Sequence, residues 1–203
     1  MENKKRCKWC NKKNPIYVKY HDEEWCRPNF DENYLFEMLI LESFQAGLSW
    51  ECVLNKREDF RKAYDNFDIN KICKYDNEKI QELISNEKII RNKLKINASI
   101  NNAKIFKNIQ KEFGTFYNYI TSFTKGKTYY EIDKTTSRLS DDISKDLKKR
   151  NMKFVGSTII YSYLQAIGII YSHDKDCFMN IKKKTQNSYK MMKIHRKQTK
   201  LLR

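Results

Sequence analysis

The stretch "KIQELISNEKIIRNKLKI", residues 79–96, decides the fold. A short helix opens at Asn77, a tight link "SNEKIIRN" follows, and a longer helix begins. In that helix Ile96, Ile100, Ala103, Phe106, Ile109 and Phe113 recur every three or four residues, the period of one buried face. Gly114 stops it. Upstream, Asp31 is placed to cap an apolar run reaching Phe44, with Gly47 as the residue past its end. Ser49 caps the next helix, whose inner face holds Trp50, Val53, Leu54 and Phe60. Downstream, Phe116, Tyr117, Ile120 and Phe123 give another turn or two of helix, and residues 125–136 read as a polar loop. Ser140 is placed to cap "DDISKDLKKR", and Ser157 a buried helix that ends at Gly168. Only 5 glycines and 2 prolines interrupt 203 residues, which leaves little for the tight turns of a β protein. The expectation is an all-α domain over residues 1–180, two helical lobes around a cleft, with a disordered basic tail over 181–203.

Two helices joined by so short a link resemble a helix-hairpin-helix as well as an ordinary αα-hairpin. In the former, backbone N–H groups of the hairpin and of the second helix's first turn hold a DNA phosphate. The charge favours such a partner. The net charge is +16, and residues 182–203 supply nine of it with no acid, leaving +7 elsewhere. An excess of this size, in the body as well as the tail, points to a polyanion.

The first ten residues, "MENKKRCKWC", hold no apolar signal segment. The longest apolar stretch, residues 154–172, is broken by Ser, Thr, Gln and Gly, and reads as a buried core helix, not a membrane span. In an intracellular protein six cysteines are there for metal or as free thiols, not as disulfides. Two ligand sets fit zinc. One is Cys7 and His21 with His173 and Cys177 of "HDKDC", where i and i+4 share a face of a helical turn. The other is local: Cys7, Cys10, His21 and Cys26. Spacing leaves both open; His195 belongs to the tail.

"LESFQAGLSW", residues 41–50, poses a separate question, because it puts one carboxylate, Glu42, inside the most apolar part of the chain. A buried carboxylate without a partner is costly. Taken with "CKW", "YVKYHDEEW", "IIRNKLKI", "KKRNMKFVGST" and "HDKDC", this segment resembles the type I 3-methyladenine-DNA glycosylase family. Order and spacing are kept from about Cys7 to Cys177.

That resemblance implies a helix-hairpin-helix glycosylase fold acting on double-stranded alkylated DNA. It implies a structural Zn²⁺ on Cys7, His21, His173 and Cys177, tying the N- and C-terminal regions together. It places Glu42 as the catalytic carboxylate, with Trp9, Tyr17, Tyr20 and Trp50 around the extruded base. Gln45, Gly47 and Leu48 form the wedge that fills the gap in the duplex. Three positions depart from the family: Cys26 where Gly usually follows "EW", and Lys88 and Leu94 where the hairpin usually has glycines. The expected reaction is hydrolysis of the N-glycosidic bond of 3-methyladenine by a monofunctional monomer. It is expected in the cytoplasm, at the nucleoid in a bacterium or in the nucleus in a eukaryote. Two other readings are a glycosylase/lyase with a lysine nucleophile, and a zinc-stabilised module that binds damaged DNA without cutting it.

Overall fold

A helix that buries its whole circumference organises the rest. In the computed structural model, which describes residues 4–180, α2 (Glu32–Gln45) is buried at every position from Leu35 to Phe44. Asp31 caps it, accepting from the Tyr34 N–H, and Gly47 lies just past its end at φ +78°. Around it pack α3 (Trp50–Asn55), α7 (Lys93–Phe113), α8 (Phe116–Thr124) and α10 (Ser157–Ala166). The remaining helices are α1 (Pro15–Lys19), α4 (Arg57–Ala63), α5 (Ile69–Ile72), α6 (Asn77–Ser85) and α9 (Arg138–Lys149). Among the described residues no helix is long and apolar enough to cross a membrane.

The hairpin is present as read. α6 starts at Asn77 with Asp76 as its cap, and α7 starts at Lys93 with Asn92 capping through the Lys95 N–H. Gly114 ends α7 at φ +81°. Ser49 caps α3 through the Cys52 N–H.

Several local expectations need correction. The helix after Ser49 breaks at Lys56, so Phe60 belongs to α4 and not to the helix of Trp50. The cap of α9 is Ser137; Ser140 is its reciprocal partner in a capping box. α10 is capped by Gly156, and Ser157 is its first residue. The polar stretch 125–136 is not all loop: β1 (Tyr129–Tyr130) pairs in parallel with β2 (Ile170–Tyr171). A two-residue strand carries too little periodicity to be read from sequence. Residues 181–203, including the expected tail, lie outside the described residues.

The segment before α2 meets the turn after α10 backbone to backbone. Gly168, at φ +75°, follows α10, and a Cβ there would sit 2.3 Å from the Pro28 nitrogen, so only glycine allows this approach. Cys26 adopts φ +61°, the left-handed region that favours glycine.

The buried ion-pair cluster on α2 centres on Glu37. Its carboxylate accepts from Arg57 Nε at 2.8 Å and Arg61 Nε at 2.7 Å, while Arg57 also reaches Glu24. Burial alone would raise Glu37, but the hydrogen bonds from Arg57 and Arg61 outweigh it and hold the group below the ordinary glutamate range. Removing one partner from such a cluster strands a buried charge. Glu37→Ala is therefore expected to cost roughly 3–5 kcal/mol, read by urea unfolding. Because the folded pKa is depressed, the stability from Glu37 is present above the unfolded value and lost as pH falls through the folded one. Glu37→Gln should flatten that acid limb.

Candidate active site and metal centre

One short segment serves two sites. The α1 cap, Asn14, accepts from the Ile16 and Tyr17 N–H groups and donates to Glu51 and Asn55, which fixes α1 beside α3. A single π-helical turn, Tyr20–Glu24, then follows α1. π turns of this kind are frequent at functional sites. It places the adjacent residues Tyr20 and His21 in different surroundings: Tyr20 lines a cleft, and His21 joins a Cys/His cluster.

In that cluster the ligand atoms of Cys7, His21, His173 and Cys177 all lie within 4.8 Å of one another, and all four residues are buried. Cys7 Sγ is 3.5 Å from His173 Nδ1, Cys177 Sγ is 3.5 Å from His21 Nε2, and Cys177 Sγ is 3.6 Å from His173 Nδ1. Tetrahedral bonds of about 2.3 Å to sulfur and 2.0–2.1 Å to nitrogen would put S and N about 3.5 Å apart, so the spacing suits a metal. The chemistry agrees. Burial lowers His21, and it lowers His173 to about 4, so both imidazoles are neutral donors at pH 7. Burial pushes the Cys7 thiol up, so its thiolate needs a cation. Asp22 accepts from His21 Nδ1 at 2.7 Å and is itself held by Arg6, which orients the ring. Backbone N–H groups of Asp174 and Met179 donate to the two sulfurs.

The rival local set is not the one assembled. Cys10 Sγ lies beside the Tyr17 carbonyl, and Cys26 Sγ accepts from the Ser172 N–H. His173 and Cys177 do come together, but through a turn after β2, not on a helical face.

Next to the cluster opens a cleft of about 330 Å³. Its lining includes Trp9, Tyr17, Tyr20, Glu42, Gln45 and Trp50, six of the eight residues expected for base and wedge. Trp9 packs against Tyr17 (5.1 Å between centroids), His21 and Trp25, so the aromatic wall leans on the metal cluster. Tyr20 and Trp50 pack at 5.3 Å. Gly47 and Leu48 sit outside the lining, on the turn beyond α2, with Leu48 42% exposed.

Glu42 contrasts with Glu37 on the same helix. It is 2% exposed, and its Oε2 has no hydrogen-bond partner. Burial pushes its pKa well above the ordinary glutamate range. Trp50 Nε1 is likewise buried and without an acceptor. A vacant donor and a vacant carboxyl oxygen among aromatic faces suit a flat polar ring. Sequence reading missed Trp25, Asp133, Lys134, Ser162, Gln165, Ser172 and Asp174 in the lining. Trp25 was legible in "HDEEW"; the others arrive from the β1–α9 loop, from α10 and from the segment after β2, and no local pattern marks them.

Comparison with known proteins points to one family. The model of the family described as "Methyladenine glycosylase" matches residues 9–180. The chain is 41% identical over 179 residues to "DNA-3-methyladenine glycosylase 1" of Escherichia coli (strain K12), covering 85% of this chain and 95% of that protein. A crystal structure of 3-methyladenine DNA glycosylase I superposes with a TM-score of 0.83 at 39% identity, covering 87% of this chain and 100% of that one. The Staphylococcus aureus 3-methyladenine DNA glycosylase I, solved to show the basis of its 3-methyladenine recognition, gives 0.80 at 30% identity, covering 90% and 98%.

The metal cluster yields a direct test. Elemental analysis should find about one tetrahedrally held metal per chain. Cys177→Ser should lose it and melt at lower temperature, while Cys10→Ser and Cys26→Ser keep it. The reverse result would assign the local set.

Proposed function

The chain belongs to the methyladenine glycosylase family and removes 3-methyladenine from alkylated DNA; we infer that it does so in the cleft around Glu42. The observation that carries this reading is a buried carboxyl with a vacant oxygen, facing aromatic rings.

The lesion supplies what the cleft lacks. A 3-methyladenine nucleotide carries positive charge on its base, so its glycosidic bond is already weak. Flipped into the cleft, the base stacks on Trp50 and Tyr20 on one side and meets Tyr17 and Trp9, whose ring faces attract a cation. The arriving charge lowers the Glu42 pKa, and the group ionises as the base seats. Its oxygens then accept from the polar edge of the ring, and Trp50 Nε1 offers a donor. Water adds at the anomeric carbon and gives up a proton to solvent, and the base leaves with the electrons of the broken bond as neutral 3-methyladenine. Ordinary adenine brings no charge, so it neither ionises Glu42 nor gains from the rings. Outside the cleft, Leu48 on the Gly47 turn fills the space that the base vacated, beside Gln45.

The ion we assign to the Cys7, His21, His173 and Cys177 set is Zn²⁺, bound by four protein ligands and therefore structural. Its service to the reaction is indirect: it fixes the wall carrying Trp9 and Tyr17. A second reading has one observation in its favour. Lys134 lines the cleft, where a lyase would need an amine, although it faces Glu131 at 3.4 Å. Borohydride should trap no protein–DNA adduct.

The decisive experiment is base release from methylated duplex DNA, with free 3-methyladenine and 7-methylguanine resolved separately. A hydrogen bond to a charged group contributes roughly 1.5–3 kcal/mol. Glu42→Gln should therefore slow single-turnover release of 3-methyladenine on the order of 10- to 100-fold. Release at the wild-type rate would make the carboxylate structural. Stability should move the other way. The folded pKa of Glu42 is raised, so its stabilising effect is present below the unfolded value and lost as pH rises through the folded one. Glu42→Gln should melt above wild type at pH 7, and the gap should close near pH 4.

A further inference from the structure

Lys95 is a buried cation with no counter-charge. It is 7% exposed, and among the described residues its amine bonds backbone carbonyls instead of a carboxylate. Its position in its own helix is electrostatically wrong, because it lies in the first turn of α7, where the helix dipole disfavours positive charge. Its amine is satisfied elsewhere. Nζ donates to the Phe44 carbonyl at 2.8 Å and to the Ala46 carbonyl at 2.5 Å, the free acceptors at the C-terminus of α2. The same amine lies 5.9 Å from the centre of the Phe154 ring. Phe154 is at φ +55°, in a segment that α7 also grips: Asn102 exchanges two hydrogen bonds with the Lys153 backbone, and Asn101 donates to the Asn151 carbonyl.

The bonded carbonyls flank Gln45, and the turn they end carries Gly47 and Leu48. At the other end of the Lys95 side chain is the first turn of α7, directly after the hairpin. That hairpin is tied in turn to the body by Lys56, which donates to the Lys88 carbonyl at 3.0 Å. One side chain thus joins the hairpin helix to the turn beside the cleft.

We propose that Lys95 is a positioning residue that locks the Gln45–Leu48 turn to the hairpin helix, so that docking the hairpin on a DNA backbone drives Leu48 into the base stack. This rests on the reading of that turn as the wedge. The amine acts through the two carbonyls and touches neither base nor sugar. Binding of the free base in the cleft does not depend on it; opening of the duplex does.

The test separates opening from recognition in the full chain. Lys95→Met keeps the length and removes charge and donors; Lys95→Arg keeps both; Lys95→Gln keeps one donor and is read in the same way should Lys95→Met fail to fold. Stack opening is followed by 2-aminopurine fluorescence beside a stable abasic-site analogue in a duplex, and pocket binding by tryptophan quenching with free 3-methyladenine. We expect Lys95→Met to lose the fluorescence rise and to slow excision from duplex DNA about 10- to 100-fold. Free-base affinity should stay within about twofold, and Lys95→Arg should recover most of the rate. Wild-type opening by Lys95→Met overturns the proposal, and so does a parallel fall in free-base affinity, which would make the residue part of the general packing. A wild type that opens the abasic duplex but binds no 3-methyladenine would instead defeat the reading of the cleft, leaving the role of Lys95 to be read from the fluorescence.

Discussion

Everything in this fold answers to the burial of α2 from Leu35 to Phe44. A stretch of helix with no solvent face cannot carry a polar side chain without a local solution, and this one carries two carboxylates. Glu37 is solved by Arg57 and Arg61. Glu42, five residues on, has no such cation, although Arg57 lies close enough to influence the same neighbourhood. The arginines are engaged by Glu37 and Glu24, which leaves the second carboxyl vacant. A purely structural helix would gain from replacing it with an apolar residue. Its retention is intelligible when a transient positive charge, supplied by the substrate, is its partner. The proposed site is in this sense an ion pair with one member missing.

The Cys7, His21, His173 and Cys177 cluster stands outside the same cleft. It does not face the cleft; it stands behind Trp9 and Trp25, and the rings pass its rigidity on to Tyr17. A cation-binding aromatic wall has to hold its ring angles closely, because the quadrupole attraction weakens once a face turns away. A chain with short helices at its N-terminus has little other means of fixing them. The capped five-residue α1 and the single π turn would not be stable on their own.

What the sequence made legible follows from range. The long period of α7, the Asp31 and Ser49 caps and the Gly47 and Gly114 stops are local signals, and each was found in place. The break at Lys56 was missed because Trp50, Val53, Leu54 and Phe60 continue one apolar rhythm across it. Ser137 lost to Ser140 in the reading because both partners of a capping box look like caps. The cleft residues from α2 and α3 lay in one marked segment, but Ser162, Gln165 and Ser172 reach it from distant turns of chain, where nothing distinguishes them from ordinary surface polarity. Spacing could not choose between the two cysteine sets either. That choice depended on bringing His173 next to Cys7, which only tertiary structure or family resemblance can supply.

That long reach has a consequence for biosynthesis. Cys7 and His173 meet across 166 positions of sequence, and Gly168 seats on the backbone of Pro28. A ribosome releases the α2 and α7 core well before either contact exists. Because α10 packs on α2 and ends just before Gly168, the burial of α2 is completed together with these two contacts, late in translation. The late arrival of "HDKDC" puts the joining of Cys7 to His173 and Cys177 at the end of the same step, so the chain closes its termini and its core together.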